Sequence, residues 1–505
     1  MPRWGKSSAT SDPVERAPLV PLPLHPTPVS GGAASCAELT AAPVGPEDSR
    51  DDGFGDAAIG VEMTSEGKTA AVDMQPLAGP VDATVRVPGS KSITNRALLV
   101  AALADGESEL SGALASDDTR YMAGALEALG LTVTHDEVGE RFRVRGGGGT
   151  FPATSADLFV GNAGTAMRFL TAALPLGHGR YRIDGVPRMR KRPIAPLLEA
   201  LNDLGADAVS EEGSGCPPVV VHAAGLRGGR AEVAGDQSSQ FFSALLIAAP
   251  YAREGVELAV RGDLVSKPYM PMTTGVMAAF GVEAELDEQE WRWMRVRPGQ
   301  RYTGRAYAIE PDASNASYFF AAAAATGGRV RVDGLGRDSL QGDLQFVRAL
   351  EAMGARVEIG DTWTEVRGPV DGRLRGVDLD MNAISDTAQT LAAITPFAEG
   401  PTTIRGVGHA RLKETDRVAA VANELRKLGQ EVEEREDGLT IHPRPVTPAA
   451  IETYDDHRMA MSFAITGLRA AGVRILDPGC TAKTFPDYFD RLRSAFGARV
   501  HEVAG

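Results

Sequence analysis

The sequence predicts an α/β protein built from six copies of one helix–strand unit, arranged as two similar lobes with a cleft between them. Two observations support this fold class. Six apolar, helix-like segments each end in a glycine, and the run after each glycine mostly alternates apolar and polar residues, as a half-buried strand does. The glycines also recur at nearly constant spacing, which is typical of an internally repeated fold.

The six copies follow one another along the chain from residue 124 to residue 502. In order they read GALEALG-LTVTH, LLEALNDLG-ADAVS, GVMAAFG-VEAEL, RALEAMG-ARVEI, ANELRKLG-QEVEE and RLRSAFG-ARVHE. Their glycines are Gly130, Gly205, Gly281, Gly354, Gly429 and Gly497, separated by 75, 76, 73, 75 and 68 residues. Glycine suits the left-handed backbone position that ends a helix.

Each unit is long enough for a second helix and several strands. Apolar segments such as ITNRALLVAALA and SQFFSALLIAAP are the candidates for this second helix. No G-x-G-x-x-G sequence opens a helix, which argues against a dinucleotide-binding unit. Six α/β units divide naturally into two groups of three, and this division predicts the two lobes.

Composition excludes several classes of function. The chain has 505 residues with a net charge of −15, which argues against a non-specific nucleic-acid binder. No run approaches the roughly 20 apolar residues that span a bilayer. The three cysteines, Cys36, Cys216 and Cys480, are far apart and odd in number, which fits a reducing compartment such as the cytoplasm. Without H-x-x-x-H or C-x-x-C pairs, a structural zinc site is not expected.

The first 75 residues are predicted to be a disordered extension outside the fold. Residues 1–49 contain nine prolines, and residues 1–75 hold eleven acidic and five basic residues with no sustained period. The segment lacks the apolar core of a signal peptide and is too acidic for a typical transit peptide. Met63 and Met74 are alternative starting points.

A second pattern places cations and small polar residues where helices are expected to begin. In VPGSKSITNRALLVAALADG, Lys91 and Arg96 lie around the start of an apolar helix, with no acid until Asp105. Free N–H groups at that end of a helix already favour negative charge. A phosphate or carboxylate site and an ordinary helix cap with solvated charges are both consistent with this stretch.

Further stretches repeat the pattern in later units. They are GNAGTAMRFL with Asn162, Gly164, Thr165 and Arg168, RMRKRPI with Arg188, Arg190, Lys191 and Arg192, DQSSQFFSALL with Ser238, Ser239 and Gln240, LVSKPYMPMT with Ser266 and Tyr269, RLKETDR with Lys413, Glu414 and Arg417, YDDHRMAM with Asp456, His457 and Arg458, and CTAKTFPDYF with Lys483. A cap, a tight turn or a surface ion pair explains each one singly. Their recurrence predicts a site for a ligand with two or more anionic groups.

Nine segments in order resemble the EPSP synthase family, the 3-phosphoshikimate 1-carboxyvinyltransferases of the shikimate pathway. They are PGSKSITNRAL, GNAGTAMR, RMRKRPI, DQSSQFFSALL, LVSKPY, EPDASNASYFF, LKETDR, DDHRMAM and CTAKTFPDYF, between about Leu77 and Phe496. The resemblance implies an inside-out α/β barrel with three βαβαββ-type units per lobe. It also implies that lobe one comprises residues 76–90 and 311–505, and lobe two residues 91–310.

The resemblance implies a reaction between two small anionic molecules. The carboxyvinyl group of phosphoenolpyruvate passes to the 5-hydroxyl of shikimate 3-phosphate, and phosphate leaves after a tetrahedral intermediate. No metal or organic cofactor is expected. A monomer without nucleic-acid or membrane partners is expected, with lobes that close on the substrates.

Site residues are carried over from the matching motifs. For shikimate 3-phosphate they are Lys91, Ser92, Arg96, Ser238, Ser239, Gln240, Ser266, Asp386 and Lys413. For phosphoenolpyruvate they are Lys91, Gly164, Arg192, Gln240, Arg417, Arg458 and Lys483. The implied catalytic residues are Asp386 as base, Glu414 as an acid held protonated, and Lys91.

Two positions depart from the family pattern. His409 stands where an Asn often contacts shikimate 3-phosphate, and Phe169 stands where many relatives have Pro. Gly164 matches a position where a side chain would crowd phosphoenolpyruvate and the herbicide glyphosate, so the chain is expected to be of the glyphosate-target type with an undetermined sensitivity.

Two other functions remain as alternatives. UDP-N-acetylglucosamine enolpyruvyl transferase shares the fold and the donor, but it places a cysteine on a mobile loop, and neither Cys216 nor Cys480 has that sequence context. A non-catalytic protein that binds anionic metabolites would be expected to lack the acid and base groups, yet Asp386 and Glu414 are both present.

Overall fold

The structure, a computed structural model, describes residues 69–504, which lie within the compact unit Ser65–Gly505. The second unit, Met1–Thr64, and most of the predicted extension lie outside the described residues. The end of that extension was predicted wrongly, because Thr69–Met74 form a strand. Both neighbours of this strand come from residues 473–504, so no local sequence pattern indicates the pairing.

Twenty-four strands are assigned within residues 69–504. They are β1 (Thr69–Met74), β2 (Asp82–Val85), β3 (Glu107–Ser111), β4 (Thr132–Asp136), β5 (Arg141–Arg145), β6 (Ser155–Phe159), β7 (His178–Asp184), β8 (Ala208–Ser210), β9 (Val219–Ala224), β10 (Gly229–Ala234), β11 (Val256–Arg261), β12 (Ala284–Leu286), β13 (Trp293–Val296), β14 (Ala306–Ala308), β15 (Arg329–Asp333), β16 (Arg356–Ile359), β17 (Trp363–Arg367), β18 (Asp378–Asp380), β19 (Thr402–Arg405), β20 (Glu431–Arg435), β21 (Gly438–His442), β22 (Ala449–Ile451), β23 (Val473–Leu476) and β24 (Val500–Ala504).

Within residues 69–504, twelve α-helices alternate between two environments. They are α1 (Lys91–Leu103), α2 (Asp117–Ala128), α3 (Gly164–Ala173), α4 (Ala195–Asp203), α5 (Ser239–Ala248), α6 (Tyr269–Ala279), α7 (Ala313–Thr326), α8 (Phe346–Ala352), α9 (Ala388–Ile394), α10 (Arg417–Lys427), α11 (His457–Gly467) and α12 (Tyr488–Phe496). The odd-numbered helices are buried nearly all round, and in α3 and α11 every residue is buried. Such helices must lie inside a core, with the sheets and the other helices outside them.

All six sheets share one strand order. Each has a parallel pair of strands followed by two antiparallel pairs. The orders are β14-β3-β5-β4, β6-β7-β9-β8 and β10-β11-β13-β12 in lobe two, and β2-β15-β17-β16, β18-β19-β21-β20 and β22-β23-β1-β24 in lobe one. This identity of order confirms the prediction of six repeated α/β units.

Three sheets within residues 69–504 include a strand from a distant part of the chain, namely β14, β1 and, beside β15, β2. β14 joins the sheet of β3, and β1 joins the sheet of β23 and β24. A parallel pair needs a long connection rather than a hairpin, which accounts for the βαβ order of the units.

The six predicted glycines all end helices in the left-handed conformation. Their φ values lie between 64° and 109°, and each follows one of the even-numbered helices. Residues with a side chain rarely adopt this conformation. The helix ends inferred from sequence are therefore confirmed.

Two hydrophobic cores lie on either side of two crossing segments. One core contains residues from Ile93 to Ile309, and the other contains residues from Val72 to Val87 together with residues from Ala313 to Val500. Between them Gly89 pairs with Pro311, and the N–H of Asp312 donates to the carbonyl of Pro88. On this distribution we propose the lobe boundaries at residues 90/91 and 310/311.

Candidate active site

A cleft between the two lobes is lined mainly by polar and charged side chains. Lobe two contributes the starts of its three buried helices, and lobe one contributes the segments before α9 and α10. The lining residues are Lys91, Ser92, Asp118, Gly164, Thr165, Arg168, Arg192, Pro193, Gln237, Ser238, Ser239, Gln240, Phe241, Ser266, Tyr269, Asp386, His409, Leu412, Lys413, Glu414 and Arg417.

The buried helices of lobe two direct their N-terminal ends at this cleft. Helices α1, α3 and α5 begin at Lys91, Gly164 and Ser239, all of which line it. Ser90 caps α1 by accepting from the N–H of Ile93, and the N–H of Lys91 donates to Asp312 of lobe one at 3.0 Å. Unpaired N–H groups and the helix dipoles make this wall favourable for anions.

Gly164 allows two guanidinium groups to approach the start of α3. A Cβ at this position would overlap Nη2 of Arg192 and lie 2.7 Å from Nη1 of Arg168. Arg192 donates to the carbonyl of Asn162 at 3.1 Å, and Arg168 donates to the side-chain oxygen of Gln240 at 3.1 Å. Burial, and then the charge of Arg192, lower the pKa of Arg168 to about 9, so the guanidinium of Arg168 is still positive at neutral pH.

Asp386 lies at the centre of the cation cluster of lobe one. Its Oδ1 contacts Lys413 Nζ at 2.6 Å and Arg417 Nη1 at 3.1 Å, and its Oδ2 contacts Arg458 Nη2 at 2.8 Å. Burial alone would raise the pKa of Asp386. The charges of Arg458, Lys413 and Arg417 outweigh burial and hold this pKa well below its usual range.

Glu414 is the second carboxylate of the cleft. Its Oε2 lies 2.9 Å from Nη2 of Arg417, and its Oε1 lies 3.9 Å from Arg192 and 4.0 Å from Lys483. Burial favours a raised pKa here too, but Arg417, Arg192 and Lys483 together hold it well below the usual range. Arg417 in turn is held by Asp456, which is fully buried, at 2.7 Å.

In the structure without substrate, the charges around Asp386 and Glu414 favour the ionised form of both, and the assignment of an acid remains a prediction. Both Asp386 and Glu414 have lowered pKa values, because each contacts two or more cations. The structure gives them paired cations, which favour the ionised form.

Asp118 joins cations from the two lobes. Its Oδ2 lies 3.4 Å from Nζ of Lys91, and its Oδ1 lies 3.2 Å from Nζ of Lys483 in the 3₁₀ helix Pro478–Lys483. The sequence analysis missed this residue because ASDDTRYM resembles an ordinary acidic helix start. The available sequence signal was the pair of adjacent aspartates, Asp117 and Asp118. The structure buries Asp118.

A tyrosine hydroxyl links the cleft to a buried carboxyl behind it. Tyr269 donates to Asp343 Oδ2 at 2.9 Å and lies 3.3 Å from Asp386 Oδ2. Burial, and then the charge of Asp386, raise the pKa of Asp343 to about 6. Asp343 belongs to QGDLQF, which carries no sequence signal for a site.

His409 occupies the cleft as a neutral group. Its Nε2 lies 2.9 Å from the hydroxyl of Ser385 and 3.3 Å from that of Ser266. Burial, and then the charge of Lys413, lower the pKa of His409 to about 3. The other unusual residue, Phe169, is buried, and the guanidinium carbon of Arg96 lies 5.2 Å from the centre of the Phe169 ring.

Most predicted site residues come together, but Arg96 lies behind the cleft wall. Its guanidinium donates to Thr273, Ser243 and the carbonyl of Ser92, and it is not among the lining residues. Arg458 and Lys483 also stand behind the lining but contact residues of it. Their separate substrate assignments remain predictions.

Within residues 69–504, no cluster of three or more His, Cys, Asp or Glu is arranged to hold a metal ion. No helix in the same range has the length and apolar character needed to cross a membrane. Neither Cys216 nor Cys480 is among the residues that line the cleft.

A family model described as EPSP synthase (3-phosphoshikimate 1-carboxyvinyltransferase) matches residues 77–492. The chain is 54% identical over 419 residues to the 3-phosphoshikimate 1-carboxyvinyltransferase of Trichormus variabilis, covering 83% of this chain and 97% of the relative. It is 50% identical over 412 residues to the enzyme of that name from Nitrosomonas europaea, and the match covers 81% of this chain and 95% of the relative.

Solved structures share the architecture at lower sequence identity. EPSP synthase from Acinetobacter baumannii superposes with a TM-score of 0.71 at 24% identity, over 86% of this chain and 100% of that one. The enolpyruvyl transferase NikO from Streptomyces tendae gives a TM-score of 0.70 at 18% identity, over 87% of this chain and 100% of that one. These likenesses confirm the predicted two-lobed inside-out α/β barrel.

Proposed function

The chain belongs to the EPSP synthase (3-phosphoshikimate 1-carboxyvinyltransferase) family, and from this membership we propose how its cleft performs the reaction. The enzyme transfers the carboxyvinyl group of phosphoenolpyruvate to the 5-hydroxyl of shikimate 3-phosphate and releases phosphate. This is a step of the shikimate pathway to the aromatic amino acids. The supporting observation is the convergence of cations from both lobes around two carboxylates.

Charge matching supports the two substrate sites. Each substrate carries one phosphate and one carboxylate, and the cleft offers guanidinium and ammonium groups that bind such groups well. We assign shikimate 3-phosphate to Lys91, Ser92, Arg96, Ser238, Ser239, Gln240, Ser266, Asp386 and Lys413. We assign phosphoenolpyruvate to Lys91, Gly164, Arg192, Gln240, Arg417, Arg458 and Lys483.

Proton transfer requires a base at the 5-hydroxyl and an acid at the methylene carbon. Asp386, ionised in the structure, is suited to accept the hydroxyl proton. Glu414 must first gain a proton, and the negative charges of bound phosphoenolpyruvate would raise its pKa from the lowered value in the free enzyme. The acid would thus form in the presence of the substrate that it protonates.

Lys91 is the third proposed catalytic residue. It begins α1, lines the cleft and lies 3.4 Å from Asp118, which also contacts Lys483. A fixed ammonium group at this point would stabilise the charge that develops as the carbon–oxygen bond of the leaving phosphate breaks. The same cation is within the part of the cleft shared by both substrates.

We propose that the lobes close on the substrates and that the enzyme acts as a cytoplasmic monomer. Closure would exclude water and strengthen the electrostatic interactions of the cleft. Nucleic-acid and membrane partners are not part of this proposal. Small-angle scattering should show a smaller radius of gyration after shikimate 3-phosphate is added, and an unchanged radius would contradict closure.

Phosphate release from purified protein tests the function directly. Incubation with phosphoenolpyruvate and shikimate 3-phosphate is expected to release phosphate, whereas UDP-N-acetylglucosamine in place of the shikimate compound is expected to release none. Turnover with the UDP-sugar alone would support the first alternative function. Binding of both substrates without turnover would support the non-catalytic one.

A Gly164→Ala variant is expected to weaken phosphoenolpyruvate binding selectively. The added methyl group overlaps the guanidinium of Arg192, which must move away from the start of α3. Losing one charge-assisted hydrogen bond to an anion costs about 1.5–3 kcal/mol, so the KM for phosphoenolpyruvate should rise about 10- to 150-fold. Steady-state kinetics with each substrate varied in turn measures the change.

The matched control is Gly124→Ala in α2. A Cβ at Gly124 meets nothing within 4 Å, and alanine is favoured over glycine inside a helix. This variant should keep both KM values. A Gly164→Ala enzyme whose KM for phosphoenolpyruvate stays within twofold of the original would contradict the assignment.

A further inference from the structure

Arg188 makes a contact between the lobes that the proposed chemistry does not use. Nη2 of its guanidinium lies 2.7 Å and Nε 3.1 Å from the carbonyl oxygen of Lys413, and Nη2 lies 3.3 Å from that of Arg411. Arg188 belongs to lobe two, just before the 3₁₀ helix Met189–Lys191, and the two carbonyls belong to lobe one. The side chain therefore fixes main-chain atoms across the lobe boundary.

The two carbonyls stand at the end of a short helix. The 3₁₀ helix Gly408–Leu412 ends at Lys413, and the last carbonyls of a helix have no partners within it. Arginine is suited to bond such carbonyls, both through its parallel donors and through its charge opposite the negative end of the helix dipole. Arg188 thus supplies the C-terminal cap of this helix from the opposite lobe.

The capped segment carries two residues of the proposed site. The side chain of Lys413 contacts Asp386, and Glu414 follows immediately and contacts Arg417. A shift of the carbonyl of Lys413 would move both side chains, because they share that peptide unit. Misplacement by about 1 Å at a catalytic group is enough to slow a reaction severalfold or more.

The charge of Arg188 explains why this contact requires the two lobes to lie side by side. Within residues 69–504, no carboxylate lies within 4.0 Å of the Arg188 guanidinium, so the carbonyl oxygens are its direct partners. Burial, and then the charge of Arg192, lower the pKa of Arg188. Water would solvate this cation if the lobes separated, so the contact contributes only when lobe one is in place.

We propose that Arg188 is a positioning residue that senses lobe closure and sets Lys413 and Glu414 for catalysis. The proposal rests on the proposed function, since it concerns the same cleft. Arg188 does not line the cleft, and no direct contact with substrate is assigned to it. Its effect would be exerted through the backbone of the segment 411–414.

Arg190 provides a matched comparison on the same loop. It pairs with Asp184 inside lobe two, with Nη2 2.5 Å from Oδ2 and Nε 3.0 Å from Oδ1. Arg188→Gln and Arg190→Gln therefore make the same chemical change two residues apart. One removes a contact between lobes, and the other removes a contact within a lobe.

The experiment compares full-length Arg188→Gln, Arg188→Lys and Arg190→Gln with the original protein. Phosphate release gives kcat and both KM values, scattering gives the compaction on adding shikimate 3-phosphate, and a thermal melt gives Tm. Arg188→Gln is expected to lower kcat roughly tenfold to a hundredfold, the scale of a charge-assisted hydrogen bond, and to reduce compaction. The kcat of Arg188→Lys should lie between those of Arg188→Gln and the original protein, because an ammonium group still donates to a carbonyl.

Arg190→Gln is expected to keep kcat within about twofold, because its ion pair with Asp184 lies within lobe two and neither residue lines the cleft. The inference is overturned if Arg188→Gln keeps kcat within twofold, or if both glutamine variants lose the same activity. Should Arg188→Gln not fold, Arg188→Lys carries the same test with a smaller expected loss. Failure of the original protein to release phosphate would instead refute the proposed function, and compaction by shikimate 3-phosphate can still be compared between variants.

Discussion

Replacing Asp386 with asparagine is expected to lower kcat by about 10²- to 10⁴-fold, the usual contribution of a positioned general base. The KM for phosphoenolpyruvate is expected to stay level or fall. Asp386 neutralises part of the charge of Lys413, Arg417 and Arg458, and the variant leaves that charge free for anionic substrates. Phosphate release at saturating shikimate 3-phosphate, with phosphoenolpyruvate varied, measures both quantities.

Asp378→Asn in the same lobe is the control for this change. Asp378 is largely exposed and pairs with Arg405 on the surface, so kcat should be unchanged. If Asp386→Asn retains kcat within tenfold, Asp386 is not the base. A raised KM with unchanged kcat would assign it to binding alone.

The acids of the cleft explain how so many cations stand close together. Lys91 and Lys483 both contact Asp118, and Arg417 contacts Asp386, Glu414 and Asp456. Without these carboxylates, like charges in a buried cleft would repel one another and move apart. The arrangement holds the cations in place before the substrates arrive, which is the condition for stabilising a transition state without reorganisation.

The repeat could be read from sequence because its signals are local. A glycine at a left-handed helix end and an alternating strand each depend on neighbouring residues, and all six helix ends were located this way. The strands that join a sheet from a distant part of the chain were harder to predict. β1 and β14 pair with strands about 400 and 200 residues distant, so their pairing has no local signal.

The site could be predicted in part for a similar reason. Residues within a motif, such as Lys413 and Glu414, are brought to the cleft together by one loop. The partners that set their charge come from other units, as Asp118, Asp343 and Asp456 do. The sequence motifs predicted many of the side chains that line the cleft, but not the partners from other units that favour their ionised forms.

An Arg417→Met variant is expected to lose both activity and stability, because methionine leaves the fully buried Asp456 without its main partner. Breaking a buried ion pair from one side typically costs about 3–5 kcal/mol. For a lobe of this size that corresponds to a fall in Tm of roughly 6–20 °C at pH 7. Thermal melts of both proteins at several pH values measure the difference.

The pH dependence of the difference in Tm between Arg417→Met and the original protein tests whether the loss of stability is electrostatic. Arg417 helps to lower the pKa values of Asp386 and Glu414, and a lowered pKa stabilises the fold above the unfolded-chain value of about 4. That stabilisation is lost only as the pH falls through the folded-state values, which lie well below about 4, so the gap in Tm should persist to about pH 4 and narrow below it. Arg426→Met, an exposed change on the same helix, should show a small and nearly constant gap. An Arg417→Met gap in Tm that stays equally large from pH 7 to well below about pH 4 would mean that lost packing, rather than uncompensated charge, destabilises the lobe.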